Sequence, residues 1–115
     1  MKELEKVLKA CSDDKRIRIL KLLEKRKLCV CELAFVLGIT QPSVSRHLKK
    51  LTDAGLIATE KDSFWTNYFL APGSEYAEGM CALIGKWLNA EKTVKKDLAR
   101  VKKADREKLC CKNGN

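Results

Sequence analysis

The stretch Leu37-Gly-Ile-Thr-Gln-Pro-Ser-Val-Ser-Arg-His-Leu-Lys-Lys-Leu51 decides the fold of this chain. Gly38 suits the left-handed conformation that ends a helix, and Thr40 is a preferred N-cap for the next helix. Pro42 fits the first turn of that helix, where its missing N–H costs little. Three apolar residues recur at helical spacing and should face a core: Val44, Leu48 and Leu51. The pattern predicts a helix-turn-helix over residues 29–53.

The polar face of the second of these helices has the composition of a DNA-reading surface. Arg46 can donate two hydrogen bonds to a guanine edge, and Ser43 can reach a base or a phosphate. Lys50 suits a phosphate. His47 is interpreted as a structural or DNA-contacting side chain rather than as a metal ligand. The predicted DNA contacts are Gln41, Ser43, Ser45, Arg46, His47 and Lys50.

The flanking segments predict a single winged-helix domain over residues 1–115. Apolar residues at helical spacing indicate a short helix at 3–10, and Ser12 and Asp13 are natural caps for a second helix. Strand-forming residues on either side of a polar tip predict a two-stranded wing at 56–70. Ser74 opens a long final helix that we expect to reach residue 108, followed by a flexible, cysteine-containing tail at 109–115. The expected fold class is mostly α with a small β-hairpin, a winged helix-turn-helix.

The long final helix carries more apolar surface than one small core can cover. Its apolar stripe continues from Ala77 to Val101 and includes Ile84 and Trp87. We therefore expect a homodimer that assembles through the helices at 3–10 and 74–108.

Composition and charge argue against several classes of protein. The 115 residues carry a formal net charge of +9, which favours an acidic partner such as double-stranded DNA, although much of this charge lies within 92–112. No apolar run approaches a membrane span and no signal peptide is evident, so we expect no membrane partner. The single histidine, the absence of a phosphate-binding glycine loop and the absence of a CxxC motif argue against an enzyme, and no catalytic cofactor is expected.

The cysteines are the second chemical feature of the sequence. Clustered thiols without a secretory signal predict a cytoplasmic protein in which cysteines bind metal or sense redox state. Cys29 stands at the N-cap of the first helix of the helix-turn-helix, and Cys31 follows two residues later. Because residues i and i+2 of a helix point to different sides, we expect the two thiols to share one ion only if the first turn unwinds.

The remaining cysteines have less specific roles. Cys110 and Cys111 are further candidate ligands, because neighbouring lysines favour the thiolate form. Cys81 lies on the apolar stripe and either packs in the core or completes a site with this C-terminal pair. Cys11 is expected in the core.

Several segments together resemble the ArsR/SmtB family of metal-responsive winged-helix repressors. These segments are Leu8-Lys-Ala-Cys-Ser-Asp-Asp-Lys-Arg-Ile-Arg-Ile-Leu20, Leu28-Cys-Val-Cys-Glu-Leu33, Thr40-Gln-Pro-Ser-Val-Ser-Arg-His-Leu48 and Trp65-Thr-Asn-Tyr-Phe-Leu-Ala-Pro72. The resemblance implies a homodimer that occupies an operator and leaves it when an inducer binds. The segment around Cys29 and Cys31 is similar to that of the arsenite-sensing subgroup. Two features depart from the family pattern: Ala34 replaces a third cysteine, and Ser63 and Phe64 replace the usual glycine and basic residue of the wing tip.

The sequence thus predicts a repressor that arsenite or antimonite releases by binding cysteine thiolates. Trivalent arsenic favours three thiolates, so Ala34 leaves one ligand to be found, and Cys110 and Cys111 are the best candidates. Thiol ligands disfavour magnesium, calcium and manganese, but cadmium, lead, zinc and copper(I) remain open. Two other functions remain open: a regulator that senses thiol oxidation, and a metalloid carrier without a DNA role.

Overall fold

A computed structural model describes residues 1–109 as a helical body that carries one β-hairpin. This arrangement confirms the predicted mostly-α winged helix-turn-helix. The helices and strands, in chain order, are α1 (Lys2–Ala10), α2 (Asp14–Leu23), α3 (Val30–Leu37), α4 (Gln41–Asp53), β1 (Ile57–Asp62), β2 (Trp65–Leu70), α5 (Glu75–Lys86), α6 (Lys92–Val101) and α7 (Arg106–Leu109).

The helix-turn-helix forms where the sequence predicts it. Gly38 ends α3 with φ 69°, a left-handed conformation that an L side chain rarely adopts. The Thr40 side chain then accepts a hydrogen bond from the backbone N–H of Ser43 and caps α4. Three residues of α4 are fully buried against the other helices and anchor it: Val44, Leu48 and Leu51. The outer face of α4 is thereby fixed toward solvent.

The wing is an antiparallel hairpin in which Ile57 pairs with Leu70 and Asp62 pairs with Trp65. Its loop is Ser63-Phe64, and Ser63 has φ 60°. The wing is also tied to the start of the helix-turn-helix, since Leu28 and Tyr68 exchange two backbone hydrogen bonds of 3.1 and 2.8 Å. The residue directly before Cys29 is therefore paired with the wing.

The prediction of one long final helix is wrong, because the chain turns between α5 and α6. Leu88 has φ 71° at this turn. Lys21, which is 2% exposed, holds the turn: its Nζ donates to the carbonyl oxygens of Ile84 and Trp87, each at 3.0 Å, and to Asn89 Oδ1 at 2.7 Å. A buried cation thus satisfies the carbonyls at the end of α5 that no helical N–H reaches.

The turn lets α6 fold back onto α2 and α3. Arg18 and Asp97 join α2 to α6 through two hydrogen bonds of 2.7 and 2.9 Å. Val94 and Val101 are consequently buried within the protomer, so part of the predicted apolar stripe is covered without a partner. Three large apolar side chains on α1 and at the end of α5 stay exposed: Leu8, Leu83 and Trp87. Within residues 1–109, no helix has both the length and the apolar character needed to cross a membrane.

Candidate DNA-binding face and thiol site

The outer face of α4 presents some of the predicted DNA contacts to solvent. Ser45, Arg46 and Lys50 are exposed, on the side opposite the buried anchor residues. A polar and cationic helix face of this kind is able to enter a major groove and bond to base edges and phosphates.

Ser43 contacts Thr40 and Arg46, and its direct contact with DNA stays a prediction. Its Oγ lies 3.0 Å from Thr40 Oγ1, and the guanidinium of Arg46 donates to it at 3.1 Å. The hydroxyl group therefore orients Arg46 along the helix. This arrangement restricts the long Arg46 side chain before any DNA is bound, which reduces the entropy lost on binding.

Gln41 and His47 are half-buried rather than exposed. The Nδ1 atom of His47 lies 3.3 Å from Nη1 of Arg16 on α2, and since arginine only donates, Nδ1 accepts. Burial lowers the pKa of His47, and the neighbouring cationic groups add to this effect. The ring is thus a neutral contact between α2 and α4.

Sequence reasoning missed several cations beside this face. Lys49 is exposed next to Arg46, and it forms a salt bridge of 3.3 Å with Asp53. A further set surrounds a cavity of ≈ 270 Å³ next to Lys50, and its cationic members are Lys6, Lys9 and Arg16. Lys49 could have been found from its spacing of three residues from Arg46. The residues of α1 and α2 could not, because only tertiary packing brings them to α4.

Cys29 is the N-cap of α3 and takes part in a reciprocal capping box. Its sulfur accepts a hydrogen bond from the backbone N–H of Glu32, and the Glu32 carboxylate accepts one from the backbone N–H of Cys29 at 3.0 Å. The start of α3 is therefore capped. Glu32 is itself buried and pairs with Arg26 at 3.1 Å.

Both cysteines of the CxC segment line one cavity of ≈ 290 Å³. Cys29 has extended backbone angles outside the helix, so the helical rule that separates i from i+2 does not apply to it. Both residues line the cavity while α3 is intact, and the expectation that the two thiols share one ion only if the first turn unwinds stays a prediction. Trp65 and Leu109 pack against the pair, and Gln41 and Ser45 of α4 line the same cavity.

The chemical state of these sulfurs matters for any ligand. Burial raises the pKa of the Cys29 thiol, so a ligand that binds this sulfur must displace its proton. Cys31 is disulfide-bonded in the structure and must be reduced before its sulfur can bind such a ligand. Among residues 1–109, no group of three or more histidine, cysteine, aspartate or glutamate side chains is arranged to hold a metal ion.

The other cysteines lie elsewhere. Cys11 is buried in the main core, as predicted. Cys81 packs against the same core, and burial, with smaller effects of Cys11 and Glu24, raises its pKa to about 11. Cys81 is thus in a different cluster from Cys29 and Cys31. Cys110 and Cys111, and the predicted tail beyond residue 109, lie outside the described residues.

Comparisons with known proteins agree with this geometry. Residues 13–59 match the family model "Bacterial regulatory protein, arsR family". The arsenical resistance operon repressor of Bacillus subtilis is 39% identical over 71 residues, which cover 61% of this chain and 68% of that protein. The arsenic resistance transcriptional regulator ArsR1 of Pseudomonas putida is 40% identical over 67 residues, 57% of this chain and 52% of that protein. The chain thus spans about half the length of the Pseudomonas protein.

A solved structure supports the fold as well. The solution structure of a homodimeric winged helix-turn-helix DNA-binding domain from Mycobacterium bovis, a possible ArsR-family transcriptional regulator, has a TM-score of 0.64. It is 25% identical, and the similarity covers 72% of this chain and 75% of that one. The helix-turn-helix and the wing belong to the same architecture in both proteins.

Proposed function

Because the chain belongs to the ArsR family of bacterial regulatory proteins, we propose that it is a homodimeric transcriptional repressor released from its operator by a thiophilic metalloid, arsenite or antimonite. One observation carries this proposal: the cavity lined by Cys29 and Cys31 is also lined by Gln41 and Ser45 of α4. A ligand on the sulfurs would lie directly against the helix that reads DNA.

The α4 face supports the DNA-binding half of the proposal. Arg46 is exposed and oriented by Ser43, and it supplies base recognition. Lys50, next to the cationic cavity of α1 and α2, supplies a phosphate contact. A dimer places two such faces about one helical turn of DNA apart and therefore favours an operator with two half-sites.

The thiol site supports the inducer. Arsenic(III) forms soft bonds to thiolates, and two thiolates from Cys29 and Cys31 leave one position to fill, since residue 34 is alanine. The third thiolate comes from the C-terminal pair, Cys110 and Cys111. The position of Leu109 favours this choice, because it packs against Cys29 and Cys31 and Cys110 is the next residue along the chain.

Release requires that arsenite bind the DNA-free conformation more tightly than the DNA-bound one. To move the operator from nearly full to nearly empty takes about 5 kcal/mol of differential affinity. Thiolate bonds at the start of α3 can supply it, because they compete with the capping box that orders the first turn of the helix supporting α4.

The test uses fully reduced protein and a DNA site selected by the protein from a random pool. The Cys29→Ser/Cys31→Ser variant should bind DNA at least as well as the wild type, since serine is a preferred N-cap and can replace Cys29 in the capping box, yet arsenite should no longer release it. Cys81→Ala is the matched control and should respond like the wild type. If the double variant is still released at wild-type arsenite levels while Cys110→Ser/Cys111→Ser is not, the sensing site belongs to the C-terminal cysteines.

A second candidate function is the sensing of thiol oxidation, and the disulfide of Cys31 favours it. In this alternative, oxidation of the thiol site releases DNA and arsenite is not the signal. Titration of free thiols with and without arsenite under strict reductant separates the two. Loss of titratable thiols together with DNA release supports the metalloid, whereas release that requires an oxidant supports the redox function.

A further inference from the structure

We propose that Arg106 is a positioning residue that latches α7 onto the wing and thereby couples occupancy of the thiol site to the orientation of the wing. The proposal rests on the proposed function, because the thiol site is the one assigned there to the inducer.

The contacts of Arg106 reach both strands of the wing. One guanidinium nitrogen donates to Asp62 Oδ2 on β1 at 2.6 Å, and the other donates to Asn67 Oδ1 on β2 at 3.0 Å. The guanidinium carbon lies 4.2 Å from the centroid of the Trp65 ring. A planar guanidinium can make all three contacts at once, whereas a lysine ammonium cannot. Arg106 therefore holds the outer half of the hairpin, where Asp62 pairs with Trp65.

The same short helix touches the thiol site. Leu109 packs against the pair Cys29 and Cys31, as Trp65 does, and α7 lies against α3. Arg106 and Leu109 are three residues apart, so they share one face of α7. One turn of helix thus contacts the two cysteines through Leu109 and the wing through Arg106.

Backbone hydrogen bonds hold the base of the wing, while Arg106 holds its outer end. Leu28, next to Cys29, is paired with Tyr68 of β2. This pairing fixes the inner part of the wing relative to α3, while Arg106 fixes the outer part. A ligand that draws Leu109 or the two sulfurs into a new position therefore moves the wing tip through Arg106.

The contact between Arg106 and Asp62 is an ion pair near neutral pH. The hydrogen bond from Arg106 lowers the pKa of Asp62, and the charge of Arg106 adds to this effect, so Asp62 stays ionised. Asn67, which is 7% exposed, has its side-chain oxygen satisfied by Arg106. Removal of the guanidinium would leave this buried amide oxygen without its partner, so the wing would relax from its present position.

Arg100 offers a matched control. Its guanidinium carbon also lies 4.2 Å from an aromatic ring centroid, that of Phe35 on α3, and it donates to the Phe35 carbonyl oxygen at 2.9 Å. Arg100→Ala removes an arginine–aromatic contact of the same kind without touching the wing.

The first measurement is amide hydrogen exchange over residues 57–70 in reduced protein without DNA or arsenite. Arg106→Ala should speed exchange in the outer half of the wing by about tenfold, Arg106→Lys should give an intermediate value, and Arg100→Ala should match the wild type. If amide exchange in Arg106→Ala is as slow as in the wild type, Arg106 does not hold the wing, whatever the inducer is.

The second experiment measures two quantities. One is the DNA affinity without arsenite divided by the DNA affinity with arsenite, and the other is the affinity for arsenite itself. Arg106→Ala should bind arsenite with an affinity within about twofold of that of the wild type. Its ratio of DNA affinities should be at least about fivefold lower than the wild-type ratio, and Arg106→Lys should restore part of this difference. An unchanged ratio, or a ratio lost only because arsenite no longer binds, overturns the coupling. If wild-type protein binds arsenite without leaving DNA, the proposed function fails and the coupling fails with it, while the exchange experiment still decides whether Arg106 holds the wing.

Discussion

Arg46 and Lys50 both project from α4, yet they should affect DNA binding in different ways. Arg46 contacts base edges in the proposed complex, so Arg46→Ala should cost about 1 to 3 kcal/mol at the selected site and relax the preference at one base position. Lys50 contacts phosphate in the proposed complex, so Lys50→Ala should weaken binding to all sequences alike and reduce the salt slope by about one unit.

Titrations of selected and scrambled DNA at several salt concentrations would measure both effects. Lys95→Ala removes the same charge from an exposed position on α6 and serves as the control. Unchanged affinity for the selected site in Arg46→Ala would show that the recognition face has been assigned wrongly.

Ser63 shows that a single residue of the wing loop is strained. It is a non-glycine residue with φ 60°, in the first position of a two-residue loop where glycine is preferred. Ser63→Gly should raise the free energy of unfolding by about 1 kcal/mol, since the left-handed conformation costs L residues about that much. Urea denaturation measures the change, and Phe64→Gly, at a position without positive φ, should not give the same gain.

At the level of single residues, the sequence predicted which residues of α4 face the core but not which partners its polar side chains contact. The helical period predicted which residues of α4 would be buried, because that period follows from backbone geometry alone. It could not show that Ser43 orients Arg46 or that His47 contacts Arg16, since these contacts depend on rotamers and on a helix 31 residues away in the chain. The same limit applies to the cavity shared by Cys29, Cys31 and Gln41.

Among the elements, the end of α5 depends on one buried side chain. Lys21→Met keeps the length and apolar stem of the residue but removes the cation that bonds to the Ile84 and Trp87 carbonyls. The free energy of unfolding should fall by about 1 to 3 kcal/mol, because these carbonyls lose their partner. Thermal or urea unfolding gives this value, and faster amide exchange at residues 84–91 would locate the effect.

Lys25→Met, on the exposed side of the same region, is the control for the loss of a lysine charge. If Lys21→Met is as stable as this control, Lys21 does not hold the turn.

The turn after α5 explains the main error of the sequence prediction. Residues 87–91 contain no glycine or proline, so the strongest local signals that end a helix are absent there. The apolar stripe also continues at helical spacing into α6, since both helices bury one face. What ends α5 is a lysine more than 60 residues earlier in the chain, and such a distant contact leaves no local pattern.

For the whole molecule, the remaining exposed apolar side chains bear on assembly. Trp87 is 53% exposed and Leu83 is 39% exposed, and both lie near the end of α5. Trp87→Asp should shift a dimer toward monomer and weaken operator binding, because a charge in an apolar interface is costly and only a dimer spans two half-sites. Ile84 is unsuitable for this test, since it is 4% exposed and aspartate there would disturb the protomer core.

Sedimentation equilibrium across a range of protein concentrations gives the association constant for each variant. Trp87→Phe retains an apolar ring and should remain dimeric. A folded wild-type protein that stays monomeric at micromolar concentration would contradict the predicted homodimer.

The open edge of strand β1 also bears on aggregation between copies of the molecule. In the described sheet, β1 has β2 on one side only, so its other row of backbone N–H and carbonyl groups is open. An open strand edge is a template for pairing with another chain. The last three residues of β1 are exposed and charged, with the sequence Glu60-Lys61-Asp62. A second copy that added a strand here would have to desolvate these charges, so the hairpin can stay exposed without becoming a seed for aggregation.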